Sequence, residues 1–255
     1  LEYLTLKLNS TINFNYIGGK GHKLVLGEGL NCIANSKGSY FNLCGGSFSG
    51  TYDSTELVIK SGKWRNIYYG TYTGTVSGDA KLTMTGGSYT NSVQANYSGT
   101  VGGDCLVYLA DCTMGSLLVG GNKSAGSVAG DITVTLDAGV TGATEISPVA
   151  GTATCDGTFT LVIDGADTTG MTIKGSGDSK LLLKNGVITT FTGMSQVTLD
   201  GSIKLGSNIT SPMTVEGDSV LDLNGKVLTG TISGNGTLYG VDTATDSYTA
   251  STGRI

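Results

Sequence analysis

The chain has 255 residues, of which 42 are Gly and 2 are Pro, and a formal net charge of −5 from 15 Lys and Arg against 20 Asp and Glu. Abundant Gly without Pro argues against collagen and Pro-rich linkers, and low charge with moderate hydrophobicity argues against a disordered acidic tail. Only two Arg and no basic stripe argue against a nucleic-acid partner, and no apolar run approaches the roughly 20 residues of a membrane helix.

From the N-terminus, residues 1–23 read as a cap or a first irregular coil. His22, the only His, lies in GGKGHKLVLG between two lysines. It reads as a solvated loop residue, and GGKGHK lacks both the phosphate-loop spacing and a following helix. HKLVLGEG and SYFNLCGGSFSG read as early coils. Then a phrase begins to return. GTVSGDAKLTM at 74–84 comes back as GTVGGDCLVYL at 99–109, and fixed-interval self-similarity marks a repeat architecture.

Aligned on a Gly-Asp step, Asp79, Asp104 and Asp131 recur at intervals of 25 and 27, Asp156 follows with Cys155 in the Gly place, and Asp178 comes next. After each step comes an i, i+2 apolar pair: Leu57/Ile59, Leu82/Met84, Val107/Leu109, Val134/Leu136, Phe159/Leu161 and Leu181/Leu183. Period-2 alternation means a strand with one buried face. The residues between, Val58, Thr83, Tyr108, Thr135, Thr160 and Leu182, are expected to face outward. A second column precedes each step, at Gly74-Thr75-Val76, Gly99-Thr100-Val101, Gly126-Ser127-Val128 and Gly151-Thr152-Ala153. A third strand lies in KWRNIYYG, YTNSVQAN and MGSLLVGG. The two extra residues of the 27-residue coil are expected near VGGNK. VTLDGSIKLGSNI and SVLDLNGKVLTGTISGNGTLYG read as later, shorter coils, and 241–255 as a tail or linker.

Three short strands per repeat without a crossover helix exclude βαβ units. A coil of about 25 residues that returns to its start and climbs one strand spacing is a parallel β-helix. The predicted fold is therefore all-β, a parallel β-helix over 24–240 with nine or ten coils and a length of about 45 Å.

These phrases resemble the Gly/Thr-rich right-handed parallel β-helix repeats of bacterial surface and secreted proteins, adhesin-like and cellulosome-associated ones among them. LDLNGKVLTG at 221–230 resembles a coil of the wider pectate-lyase-like superfamily. Right-handedness follows from this resemblance and from the general rule for parallel crossovers. The resemblance covers about Leu24 to Gly240. That fold carries lyases, hydrolases, adhesins and inert stalks alike, so it does not decide function.

Pectate-lyase-like enzymes use Arg or Lys as base with calcium on carboxylates, and Arg65, the only Arg within the coils, neighbours Lys63 and tyrosines instead. Glycosidases need two carboxyls at short range; Asp164/Asp167, Asp200 and Asp218/Asp222 are the candidates, though IDGAD reads first as a turn. The row Asp79, Asp104, Asp131 and Asp156 either fixes turns by accepting backbone N–H groups or offers oxygens to calcium. The Thr75/Thr100/Ser127/Thr152 column reads as a hydroxyl ladder between coils, since ice-binding solenoids need paired T-x-T rows. The five Cys (Cys32, Cys44, Cys105, Cys112, Cys155) contain no C-x-x-C pair and read as small buried residues, with a Cys32–Cys44 disulfide as the alternative.

The aromatic cluster is the strongest functional signal. Trp64, Tyr68, Tyr69, Tyr72 and Tyr97, with Tyr89, fall in adjacent coils. They either bind a ligand, by stacking on sugar or anchoring a protein, or stack across strands for stability alone. The expected function is a non-catalytic extracellular or cell-surface module for adhesion, glycan binding or spacing. Its expected partners are a polysaccharide or surface glycoprotein and the other domains of a longer parent chain, of which this sequence, starting at Leu1, reads as a piece. A polysaccharide lyase or glycoside hydrolase of the pectate-lyase-like type is the alternative.

Overall fold

Alternating apolar residues become continuous rows once the strands pair. In the computed structural model, which describes residues 2–7, 15–142, 144–240 and 249–250, Leu26, Ile59, Met84, Leu109, Leu136, Ile163, Leu183, Leu199 and Val215 lie one above another in parallel register. A parallel row two residues earlier runs from Leu24 through Leu57, Leu82, Val107, Val134, Leu161 and Leu181 to Val197. Both rows face the interior and bury their side chains against their own neighbours above and below.

The described residues contain no helix, and every strand pairing among them is parallel. The strands stack into three main sheets of 13, 8 and 5 strands. The long sheet starts at Leu24–Leu26 and takes one strand from each coil as far as Gln196–Leu205, which pairs with two strands of the next coil, Met213–Val215 and Val220–Asp222. The second sheet runs from Tyr16–Gly18 through Asn42–Cys44, Lys63–Tyr68, Ser88–Gln94 and Leu117–Val119 to Phe191–Thr192. The third sheet holds only Thr51–Tyr52, Thr75–Val76, Gly99–Val101, Gly126–Val128 and Thr154–Cys155. The molecule is a parallel β-helix. No helix among the described residues is long and apolar enough to cross a membrane.

Glycine marks the corner where the chain enters the third sheet. Gly99 and Gly126 are paired there with φ of 150° and 112°. A Cβ on Gly126 would run into the Gly99 carbonyl oxygen, and one on Gly99 into that of Gly74. The column is Gly because successive backbones touch.

The expected register slips at one coil. Ile132 pairs with Phe159 and Val134 with Leu161, so Gly157-Thr158, not Cys155-Asp156, holds the Gly-Asp place. Likewise Ser127-Val128 pairs with Thr154-Cys155, not with Thr152-Ala153. Val162 therefore follows Thr135 in the outward column, where Thr160 was expected. The two extra residues of the earlier 27-residue coil fall between Leu118 and Gly126, as Val93 pairs with Leu118 and Gly99 with Gly126; this span includes VGGNK.

After Thr154–Cys155 the coils narrow. Leu161, Leu181, Val197 and then Leu199 to Val215 step by 20, 16 and 16 residues. The strands Phe159–Asp167, Ser179–Ile188 and Gln196–Leu205 lengthen to nine or ten residues. Each bends within itself at a positive-φ glycine, Gly165, Gly186 and Gly201. At the N-terminal end, Thr5–Lys7 pairs with Asn31–Ile33 and Tyr16–Gly18 with Asn42–Cys44. Of the 241–255 segment, only Thr249–Ala250 lies within the described residues, pairing with Thr231–Ile232.

Candidate functional site

The turn joining the second sheet to the third is built the same way in successive coils, and it is lined twice. Inside, Thr71, Asn96 and Asn122 stack and are fully buried. Asn96 Oδ1 accepts the Thr71 N–H at 2.7 Å, and Asn122 Oδ1 accepts the Asn96 N–H at 3.1 Å. The amide groups donate back, Asn96 to the Thr100 carbonyl and Asn122 to the Gly99 carbonyl. This ladder satisfies the backbone groups that a corner would otherwise orphan.

The residue after each ladder member points outward. Tyr72 and Tyr97 stack at 4.9 Å with planes 9° apart, and Phe48 stacks on Tyr72 at 4.6 Å. Tyr16 tilts against Phe48 at 5.9 Å, and Tyr68 meets Tyr72 edge-on at 5.1 Å. Lys123, next to Asn122, holds the following place in the column. Each stacked pair adds about 0.5–1.5 kcal/mol beyond its buried area. Stacking also covers most ring faces, so a ligand meets ring edges, hydroxyls and the outer face of Tyr97.

Beside this wall the second sheet contributes a floor of amides. Asn66 Nδ2 donates to Asn42 Oδ1 at 2.8 Å, and Asn91 Nδ2 to Asn66 Oδ1 at 2.7 Å. Ser92 Oγ also donates to Asn66 Oδ1, and Gln94 Nε2 to Ser92 Oγ at 2.7 Å. Gln94 is 1% exposed, and its Oε1 has no hydrogen-bond partner. Wall and floor enclose a groove of about 230 Å³, which Arg65 and Lys123 also line. No Asp or Glu lines it.

Burial pushes the Tyr68 phenol well above its ordinary value, with Tyr72 and Cys44 adding to the rise and Arg65 opposing it. Burial, then Tyr97, raises Tyr72 as well. Both therefore remain neutral hydroxyls that donate and accept hydrogen bonds.

The five aromatic candidates divide. Tyr68, Tyr72 and Tyr97 line the groove. Trp64 and Tyr69 are fully buried and belong to the core, as does Tyr89, which corrects their expected placement at a ligand surface. Trp64 Nε1 donates to the Ser61 carbonyl, and the Tyr69 hydroxyl to that of Gly120. Sequence reasoning missed Phe48, Gln94, Lys123 and the asparagines. Their signal is the recurring phrase NLCGGSF, NIYYGTY, NSVQANY, which sets an amide before an aromatic in three coils.

Asp79, Asp104 and Asp131 each bind the backbone of the next coil. Asp79 Oδ1 accepts the Asp104 N–H at 3.0 Å, Asp104 Oδ1 that of Asp131 at 2.9 Å, and Asp131 Oδ1 that of Thr158 at 2.8 Å. Asp156 stands outside the row because of the register slip. Among the described residues no three His, Cys, Asp or Glu side chains are placed to hold a metal ion.

Three of the carboxylate candidates, Asp164, Asp167 and Asp222, are engaged by the protein itself. Asp164, in register with Asp137, accepts from Asn185 and pairs with Lys184 at 3.8 Å, while Tyr108 donates to Asp137. Asp167 and Asp222 accept turn N–H groups from Thr169 and Asn224.

All five cysteines are free, so the Cys32–Cys44 disulfide is absent. Burial pushes the Cys44, Cys105 and Cys112 thiols up to about 12, and groups so seldom ionised are poor nucleophiles. Comparison with protein-family models, curated proteins and solved structures finds no match for the chain.

Proposed function

We propose that this β-helix is a non-catalytic glycan-binding module of an extracellular or cell-surface protein, and that its saccharide lies in the groove along the Tyr72–Tyr97 wall. The observation that carries the reading is the groove itself, where the Tyr72–Tyr97 stack stands beside a floor of hydrogen-bonded amides. Phenol edges and amides supply the mixed apolar and polar contacts that sugars require. Adhesion or display of a parent protein on a glycan surface follows from such binding. The groove supplies no pair of carboxyls for glycosyl hydrolysis.

The test is native affinity electrophoresis against a panel of plant, mucin and bacterial polysaccharides, with and without calcium, scoring the same samples for released ends. Retardation without release, reduced by Tyr97→Ala, is the expected result. Released unsaturated or reducing ends would replace this reading with the lyase or hydrolase one. No retardation by any polymer would refute it.

A further inference from the structure

The charge of the groove is opposite to that of the chain. The protein carries −5 overall, yet the charged side chains lining the groove are both cations, Arg65 and Lys123, and both are partly buried. Arg65 rises from the second-sheet strand next to Asn66. Lys123 closes the column above Tyr97. The two cations thus flank the same run of amides and rings from different coils. Partial burial shields them from salt more than a surface lysine is shielded.

We infer that the glycan bound in this groove is anionic, with its carboxylate or sulfate oxyanions received by Arg65 and Lys123. The inference rests on the glycan-binding reading and adds the ligand's charge to it. The guanidinium is a planar fork that matches either oxyanion with two N–H donors. Arg65 also sits close enough to the Tyr68 hydroxyl to oppose the rise of its pKa, so guanidinium and phenol act on one region of the groove. The net negative field of the chain repels a polyanion in general, so attraction has to be local to this groove.

The experiment uses matched polymer pairs: dextran sulfate with dextran, and alginate with carboxyl-reduced alginate. Retardation of the full chain is measured over a range of salt. At least one anionic member is expected to bind about tenfold more tightly than its neutral partner. The member that binds identifies the oxyanion as sulfate or carboxylate. Arg65→Gln is expected to weaken it about tenfold and Lys123→Gln about threefold, each lowering the salt dependence. Lys123 lies in a turn, so its variant carries the test should Arg65→Gln fail to fold. Lys204→Gln, an exposed lysine on a long strand outside the groove, removes the same charge and is expected to change nothing. Equal binding of a neutral polymer and its anionic partner would overturn the inference and leave the glycan-binding reading standing. Loss on Lys204→Gln as large as on Lys123→Gln would also overturn it, by showing diffuse attraction. Absence of binding by all four polymers refutes the anionic inference, and the neutral members of the wider panel then decide the glycan-binding reading separately.

Discussion

The wide coils before Cys155 and the narrow coils after Phe159 share one long sheet but solve different problems. A wide coil has a third sheet and therefore a corner at which the chain must turn. That corner brings buried polar groups with it, Thr71, Asn96 and Asn122, and the second sheet beside it adds Asn66, Ser92 and Gln94. The narrow coils discard the third sheet, bend their long strands at glycine and fill the interior with Leu181, Leu183, Leu199, Leu205 and Leu221, burying fewer polar side chains, Thr168, Ser179 and Ser219. The groove exists only where the corner exists. A place for recognition and a debt of satisfied polar groups thus arise together.

Large-to-small changes test that contrast most strongly. Trp64→Ala removes the largest buried side chain of the wide region and is expected to cost about 3–5 kcal/mol; Leu199→Ala in the narrow region is expected to cost about 2–5 kcal/mol. Since each coil contacts only its neighbours, urea unfolding followed by hydrogen exchange should show Trp64→Ala loosening the wide coils first and Leu199→Ala the narrow ones. Uniform loss of protection in both variants would dissolve the distinction. Next in size, Asn96→Ala leaves the Thr71 N–H without its acceptor and should cost about 1–3 kcal/mol, read from the same denaturation curves.

Tyr97→Ala should cost less, about 0.5–1.5 kcal/mol from the lost stack, while reducing polysaccharide retardation. Stability and binding are thereby separated at one residue. The smallest effect is acidic. The Asp104 backbone N–H, with Lys81 assisting, holds the Asp79 carboxyl below its ordinary range. A lowered folded pKa contributes stability that is present above the unfolded value of about 3.9 and is lost as pH falls through the folded one. Thermal scans should therefore show Asp79→Asn less acid-sensitive than the parent below about pH 4. The difference is small because this carboxylate is largely exposed.

The inward rows were legible because alternation survives errors of two. Shifting Asp156 into the place of Thr158 leaves Phe159, Leu161 and Ile163 all facing inward, so period 2 could not reveal the slip; a slip of one would have inverted the strand. The groove was less legible because the strand that makes it breaks alternation. From Trp64 the next inward residues are Ile67 and Tyr69, a step of three and then two, and pairing with Ser88–Gln94 shifts register between Tyr89 and Ser92. An aromatic residue in KWRNIYYG can therefore lie on either side. Only the column it shares with the coils above and below decides.

Trp64 is the single tryptophan of the chain, fully buried in the wide coils with its indole N–H engaged. Its fluorescence is accordingly a built-in reporter. Emission should be blue-shifted in the native state and move to the red when the wide coils open, while melting of the narrow coils alone leaves it unchanged. The molecule carries its own optical label on the half that bears the groove, and following the unfolding of that half needs no dye.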